Sequence, residues 1–189
     1  FADLRIGLGL ALHAAHRAWA LRPAPDDVQQ VLPAAAGTSP RRLGFMSPRL
    51  HEGPVATFLE PLLRELDRTR FEVRLYSGSA HADAASARLR SLADGWCEAW
   101  RLDDAALVER LRGDRIDVLF ELSGHAPAHR LRALARRAAP VQVCWLDYFC
   151  TTGLAAIDWF YSDAGLSPDG GPQCYSERLL RLPVGRLCY

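Results

Sequence analysis

The chain has 189 residues, an apolar fraction of 49% and a formal net charge of +1. That is enough apolar chain for one globular domain with a core, and a near-neutral balance excludes bulk electrostatic attraction to nucleic acid or an anionic membrane. All 23 basic residues are Arg, so no lysine is at hand for a Schiff base or a phosphate-binding P-loop.

Asp3–Ala20 is expected to be a helix, because Leu4, Leu8, Leu12, Ala15 and Trp19 recur near the helical period. His13 and His16 share it, but no carboxylate or Cys nearby completes a metal set, so surface or packing roles are expected. Ile6–Ala15 is apolar yet lacks a signal-peptide layout. Arg22–Pro40, with four prolines, is expected to be a linker. Arg42–Ser47 predicts a first strand, Pro54 to about Asp67 a helix opened by Pro54, and Phe71–Tyr76 a second strand. Ala82–Asp94 predicts a helix ended by Gly95, and Cys97–Arg101 a short third strand. Asp104–Arg112 is a helix capped by Asp103 and closed by Gly113. Next come a strand at Ile116–Leu122, a helix at Ala128–Arg137 stopped by Pro140, and a strand at Val141–Leu146. Ile157–Ser162, a Gly/Pro-rich loop at Ser167–Gln173 and a strand at Leu179–Leu182 complete the chain. Strand and helix alternate with short connections, which is the pattern of a doubly wound, Rossmann-like parallel α/β sheet.

In such sheets ligands gather at the carboxyl ends of strands. Two loops fall there: Ser123-Gly124-His125, and the segment through Thr151, Thr152 and Gly153. No G-x-G-x-x-G follows the first strand, and Walker A, G-x-S-x-G and zinc-ligand spacings are absent. Ser123 and His125 are too close in sequence to face each other as nucleophile and base. His125 is either a polar pocket group or a loop residue with a simple hydrogen-bonding role, and Arg130, Arg132, Arg136 and Arg137 read mainly as a solvated helix face. Trp145 and Tyr148 are expected to pack rather than to form a stacking platform. The five cysteines form no C-x-x-C pair, which fits a reducing, cytoplasmic compartment. Cys144 is expected to be a buried thiol and Cys150 a plain loop residue. No apolar run reaches the ~18 residues of a membrane span.

The order Leu43-Gly44-Phe45-Met46-Ser47, Phe58-Leu59-Glu60-Pro61-Leu62-Leu63, Phe71-Glu72-Val73, Ile116-Asp117-Val118-Leu119, Leu122-Ser123-Gly124-His125, Ala139-Pro140-Val141-Gln142-Val143, Trp145-Leu146, Thr151-Thr152-Gly153, Asp158 and Tyr175-Ser176-Glu177 resembles the catalytic region of the O-GlcNAc transferase/SPINDLY family from Arg41 to Tyr189. The helix containing His16-Arg17-Ala18-Trp19 is similar to the segment that joins the family's tetratricopeptide repeats to that region. The resemblance implies the N-terminal lobe of a GT-B glycosyltransferase. Its partners would be an acceptor protein, a UDP-sugar in the full-length form, and upstream tetratricopeptide repeats. It implies transfer of GlcNAc to Ser/Thr hydroxyls with inversion, with no cofactor and no metal, and with neither nucleic acid nor membrane as partner.

On this basis residues 1–40 are expected to be helix and linker, and 41–189 the Rossmann-like lobe of a bacterial protein, inactive without its C-terminal nucleotide-binding lobe. The resemblance implies substrate-side roles for Gly124, His125, Leu146, Asp147, Thr151 and Thr152. Departures from the family are equally specific. Gly53 stands where the family carries a loop histidine, leaving His51 as the candidate catalytic group. Glu121 stands for the family's Asp, and Asp147 for the first glycine of the Gly-Tyr-Pro-Gly-Thr-Thr-Gly loop. They motivate an alternative expectation, a diverged non-catalytic binding module of the same fold.

Overall fold

A computed structural model describes residues 2–22, 40–168 and 174–187. The proline-rich linker and the core of the Gly/Pro loop therefore lie outside the described residues, as does Cys188. Elements follow in the order α1 (Ala2–Ala20), β1 (Arg41–Ser47), α2 (Pro54–Glu65), β2 (Phe71–Ser77), α3 (Ala84–Ser91), β3 (Gly95–Cys97), α4 (Asp104–Gly113), β4 (Val118–Glu121), α5 (Leu131–Ala135), β5 (Val141–Cys144), β6 (Trp159–Asp163) and β7 (Arg178–Leu182). The seven strands form one sheet, ordered β3-β2-β1-β4-β5-β6-β7, and every neighbouring pair is parallel.

Alternation of side chains along the strands divides the core between the two faces. Leu43 and Phe45 of β1 and Val73 and Leu75 of β2 join Val55, Leu59 and Leu63 of α2 and Leu89 of α3 on one face. Met46, Tyr76 and Leu119 meet Leu107, Val108 and Leu111 of α4 and Leu131 and Leu134 of α5 on the other. Gly44 lies on this second face, where a Cβ would stand 3.0 Å from Leu119 and 3.1 Å from Ile116. A side chain there would require Leu119, Ile116 and Tyr76 to give by a few tenths of an ångström.

One device recurs at the start of the strands. Asp94, Asp117 and Asp158 each accept a backbone N–H from the neighbouring strand, at Val73 (2.7 Å), Arg42 (2.8 Å) and Gln142 (2.8 Å). Each carboxylate fixes the register at its strand pair, because a one-residue slip would leave a charged acceptor without its donor.

Several expected bounds change. The third strand is Gly95–Cys97, and Ala99–Arg101 is a 3-10 turn. Only Gly95, Trp96 and Cys97 face β2 across the sheet edge, so the alternating residues beyond them have no ladder to join. The α3 helix begins at Ala84 because Asp83 caps it, its side chain accepting from Ser86 N while Ser86 Oγ returns the bond, a capping box. The α5 helix is five residues long, since Ala128 (φ 64°) and Arg137 (φ 53°) both leave helical backbone. Of the arginines expected on a solvated face, Arg132 is exposed, while Arg130 and Arg137 at the ends of the segment are not. Arg130 bonds Asp104 and the carbonyls of Ala99 and Leu102. Arg137 bonds Asp158 and the carbonyls of Ala156 and Pro140. Both brace the sheet from below. Gly113 is the last residue of α4 rather than a residue beyond it.

The strand order breaks between β1 and β4, which run side by side although two strands and three helices separate them in sequence. In a doubly wound sheet the connections leave toward opposite sides at such a break, and the loops at its carboxyl end part to form a crevice.

Candidate functional site at the carboxyl edge

Three loops meet at that edge, following β1, β4 and β5. Glu121 organises the second. It closes β4 with 0% exposure, and its carboxylate accepts the Ser123 backbone N–H (2.9 Å), the Ser123 hydroxyl and the Gly124 backbone N–H (2.6 Å). Burial pushes the Glu121 carboxyl up to about 7, against the pull of these donors. Ser123 is thereby committed to Glu121 and does not face His125 as a nucleophile would. Gly124 takes φ 51°, and a Cβ on it would fall 2.4 Å from Tyr148. Only glycine lets the β4 loop turn beneath that ring.

The third loop is held from the other end of the chain. Glu177, buried just ahead of β7, accepts the Thr151 hydroxyl (2.6 Å), the Thr152 backbone N–H (2.7 Å) and the Thr152 hydroxyl. Both threonines have 0% exposure. Their hydroxyls are thus spent inside the protein, and only the backbone of this loop remains to meet a ligand. Leu146 is likewise buried among the residues of the α2 face. It sits at φ 90°, and its carbonyl accepts from Arg186 (3.1 Å). Cys150 is buried, and burial pushes its thiol up, which removes it as a nucleophile. Cys144 is a fully buried thiol, as expected. Trp145 is buried and donates its indole N–H to the Arg186 carbonyl (2.7 Å).

His125 lies under α1. Its ring stacks on His16 of that helix, with centroids 3.9 Å apart and planes 14° from parallel, and it meets the edge of Trp19 at 4.9 Å. The surroundings fix both tautomers, since a carbonyl can only accept. His125 Nε2–H donates to Thr152 O (2.8 Å), and His16 Nδ1–H donates to Thr151 O (2.9 Å). His16 Nε2 is then the acceptor for the Tyr148 hydroxyl at 3.2 Å. Burial pushes His125 down to about 4 and lowers His16 and His129 as well. The helix backbone itself rests on Gly153, where a Cβ would approach the His16 carbonyl to 2.6 Å. α1 thus closes over the second and third loops, using His16 as the peg.

The open side of the edge belongs to the first loop. Arg49 crosses β4 to bond Asp147 of the third loop at 2.6 Å. Burial pushes the Asp147 carboxyl up, and the Arg49 guanidinium opposes this. His51 is half-buried, with Nδ1 2 residues ahead of Gly53 and 3.2 Å from the Glu52 carbonyl. Gly53 precedes α2 with φ 148° and ψ −175°, a conformation essentially confined to glycine. No side chain reaches its Cβ position within 4 Å.

The structure therefore brings His125, Gly124, Asp147, Leu146, Thr151 and Thr152 to one edge, but in different capacities. Gly124, Leu146, Thr151 and Thr152 shape loops, His125 carries α1, and Asp147 with Arg49 spans the mouth. Sequence reasoning passed over Arg49, Glu177 and the pairing of His16 with His125. Glu177 and Thr151 are 26 residues apart and His16 and Thr151 are 135 apart, and no periodicity links such positions.

This arrangement matches known proteins along nearly its whole length. The sequence model described as "Glycosyl transferase family 41" covers residues 19–186. The chain belongs to glycosyltransferase family 41. Among family members, it is 35% identical over 185 residues to a rice (Oryza sativa subsp. japonica) protein named "Probable UDP-N-acetylglucosamine--peptide N-acetylglucosaminyltransferase SPINDLY", covering 94% of this chain and 20% of the relative. The Arabidopsis thaliana SPINDLY protein of the same name is 37% identical over 154 residues, 79% of this chain and 17% of the relative. Its fold superposes with a TM-score of 0.83 on a mutant of the Thermobaculum terrenum O-GlcNAc transferase, at 42% identity over 95% of this chain and 35% of that one. The chain thus spans about a fifth of the length of the rice relative. It forms the Rossmann-like part of a family 41 catalytic region.

Proposed function

We propose that this chain is the N-terminal lobe of a GT-B protein O-glycosyltransferase. The full-length enzyme would transfer GlcNAc from a UDP-sugar to Ser/Thr hydroxyls of an acceptor protein, with inversion and without a cofactor. The observation that carries the reading is the match to family 41 across residues 19–186, on a sheet whose strand order opens a crevice where the matched loops converge. In this reading the acceptor oxygen attacks the anomeric carbon, the bond to the diphosphate breaks, and UDP leaves. The lobe supplies the sugar and acceptor wall: the backbone of the Thr151–Gly153 loop, the Gly124 turn under Tyr148, and the Arg49–Asp147 pair. His51 is the imidazole nearest the open first loop and is the proposed proton-handling group. His125 acts as a positioning residue through Thr152. A cytoplasmic, bacterial setting and upstream tetratricopeptide repeats belong to the same proposal. Most of the donor diphosphate is expected to be bound by a second lobe, which agrees with the absence of lysine here.

The test is a labelled-donor assay on the chain alone and on a version joined to a second Rossmann lobe of the family. The joined protein should release UDP and label an acceptor, while the chain alone should do neither. Turnover by the isolated chain would overturn the division of labour.

A second reading, a non-catalytic binding module, rests on the Arg49–Asp147 bridge, because it places a charged pair across the mouth where the resemblance puts the sugar. Asp147→Gly in the joined protein separates the two. A gain in turnover supports a lobe that has lost catalysis; unchanged turnover shows that the bridge never blocked the sugar.

A further inference from the structure

The first loop and the loop after β2 carry three metal-ligating side chains that the sequence keeps apart: His51, and His81 with Asp83. One ligand atom from each lies within 4.8 Å of the others. His81 Nε2 is 3.7 Å from Asp83 Oδ2, and the two imidazoles meet edge to face with centroids 4.9 Å apart. We propose that His51, His81 and Asp83 form a zinc site that ties the β1 loop to the β2 loop beside the crevice. The inference competes with the proton-handling role proposed for His51, because an imidazole bound to zinc through Nε2 keeps no lone pair for a proton; it also departs from the sequence expectation of no metal, and its test reads binding rather than turnover.

The parts are already oriented for this. His51 Nδ1 is engaged with the Glu52 carbonyl at 3.2 Å, which fixes its proton there and leaves the Nε2 lone pair for a metal. Asp83 is held by the Ser86 backbone N–H on Oδ1 (3.0 Å) and the Glu52 backbone N–H on Oδ2 (2.8 Å). The Ser86 hydroxyl also donates to the Leu50 carbonyl at 2.7 Å, so the two loops form one frame before any ion arrives. His81 is exposed, and its side chain is the one that must move. Zinc–ligand bonds of about 2.0–2.1 Å place tetrahedral ligands roughly 3.3 Å apart, so the His81 ring, which now lies against His51 and Asp83, must draw in to close the set.

The donor set selects the ion. Two imidazoles and one carboxylate suit zinc and other late first-row divalent ions, whereas calcium and magnesium prefer oxygen ligands. Three protein ligands leave a fourth position facing solvent. By contrast the His16–His125 pair has both His16 nitrogens and His125 Nε2 committed to carbonyls and Tyr148.

The experiment uses the full chain without an affinity tag. Zinc titration by calorimetry should give one saturable site, and cobalt should give a d–d absorption band without thiolate charge transfer, which separates this site from the half-buried Cys174. His81→Ala and His51→Ala should weaken zinc binding at least ~10-fold, the loss of one ligand of three. Asp83→Asn keeps a helix-capping acceptor and so preserves the fold while removing the charge; it should weaken binding similarly. His13→Ala should bind as the parent does. Zinc should raise the thermal midpoint of the parent but not of His81→Ala. No saturable zinc binding by the parent, or equal binding by His81→Ala, would overturn the assignment.

Discussion

At the scale of single residues, two glycines differ in sign although neither meets a neighbour. A Cβ on Gly53 or on Gly113 would touch nothing within 4 Å. Gly53, however, sits at φ 148°, a region where an L side chain strains the backbone by about 1–3 kcal/mol. Gly113 is helical at the end of α4, where alanine removes unfolded-state entropy and stabilises by about 0.4–1 kcal/mol. Denaturant unfolding should therefore show Gly53→Ala destabilised by roughly 1–2 kcal/mol and Gly113→Ala stabilised; equal effects would refute the backbone argument. The same reasoning recasts the family departure at 53. A histidine there would carry the strain of this turn, so the backbone at this position suits glycine. Identity at this scale was legible from the sequence, but conformation was not. Nothing in the letters around Gly53 distinguishes an extended glycine from one that only glycine can occupy.

At the scale of elements, most helices and strands were legible because hydrophobic period and caps agreed, as at Asp103, whose side chain accepts from Ala106 N. Errors fell where tertiary contacts decide the ends, as at β3, which lasts only as long as β2 faces it. The docking of α1 was not legible at all, and it carries a pH dependence. His16 faces Thr151 O, Tyr148, His13 and Glu177; His125 faces Thr152 O, His16, His129 and Trp19; His129 lies near Asp104 and Arg132. Burial holds all three imidazoles below their ordinary value, with His125 at about 4. Between about pH 6.5 and 4 the undocked state binds the extra protons, so docking weakens as pH falls, by up to about 1.4 kcal/mol per pH unit for each group that titrates. Glu121 runs the other way. Its folded carboxyl titrates near 7, above its unfolded value, so it contributes stability at low pH that is lost as pH rises through 7. Glu121 thus offsets only part of the imidazole effect, so stability should fall as pH drops from about 6.5 toward 5 while α1 opens, as hydrogen exchange of the α1 amides would report. His16→Phe keeps a stacking ring and cannot protonate, and it should flatten the α1 response. An unchanged response would remove the histidine stack as its cause.

At the scale of the whole molecule, the sheet order follows from the alternation of strands and helices, while the site arises from contacts between distant loops and a helix that lies outside the sheet. That separation makes a prediction about what α1 does. Among the described residues the two core clusters are built from strands and helices after residue 40, and α1 adds the partly buried Trp19 and Ala20 to one of them. Among the described α1 side chains, those of residues 9–20, only His16 is buried. Covering an indole and a few small groups contributes about 2–3 kcal/mol, and 1 kcal/mol moves the midpoint of a domain this size by about 2–4 °C. A chain beginning at Pro40 should therefore unfold in one cooperative transition with its midpoint lowered by roughly 5–10 °C, and with faster exchange confined to the Gly124–His129 and Thr151–Leu154 loops. Failure of that shorter chain to fold would show that α1 belongs to the core. An unchanged midpoint with unchanged exchange at His125 would show that the His16–His125 stack contributes nothing to holding the loops at the crevice.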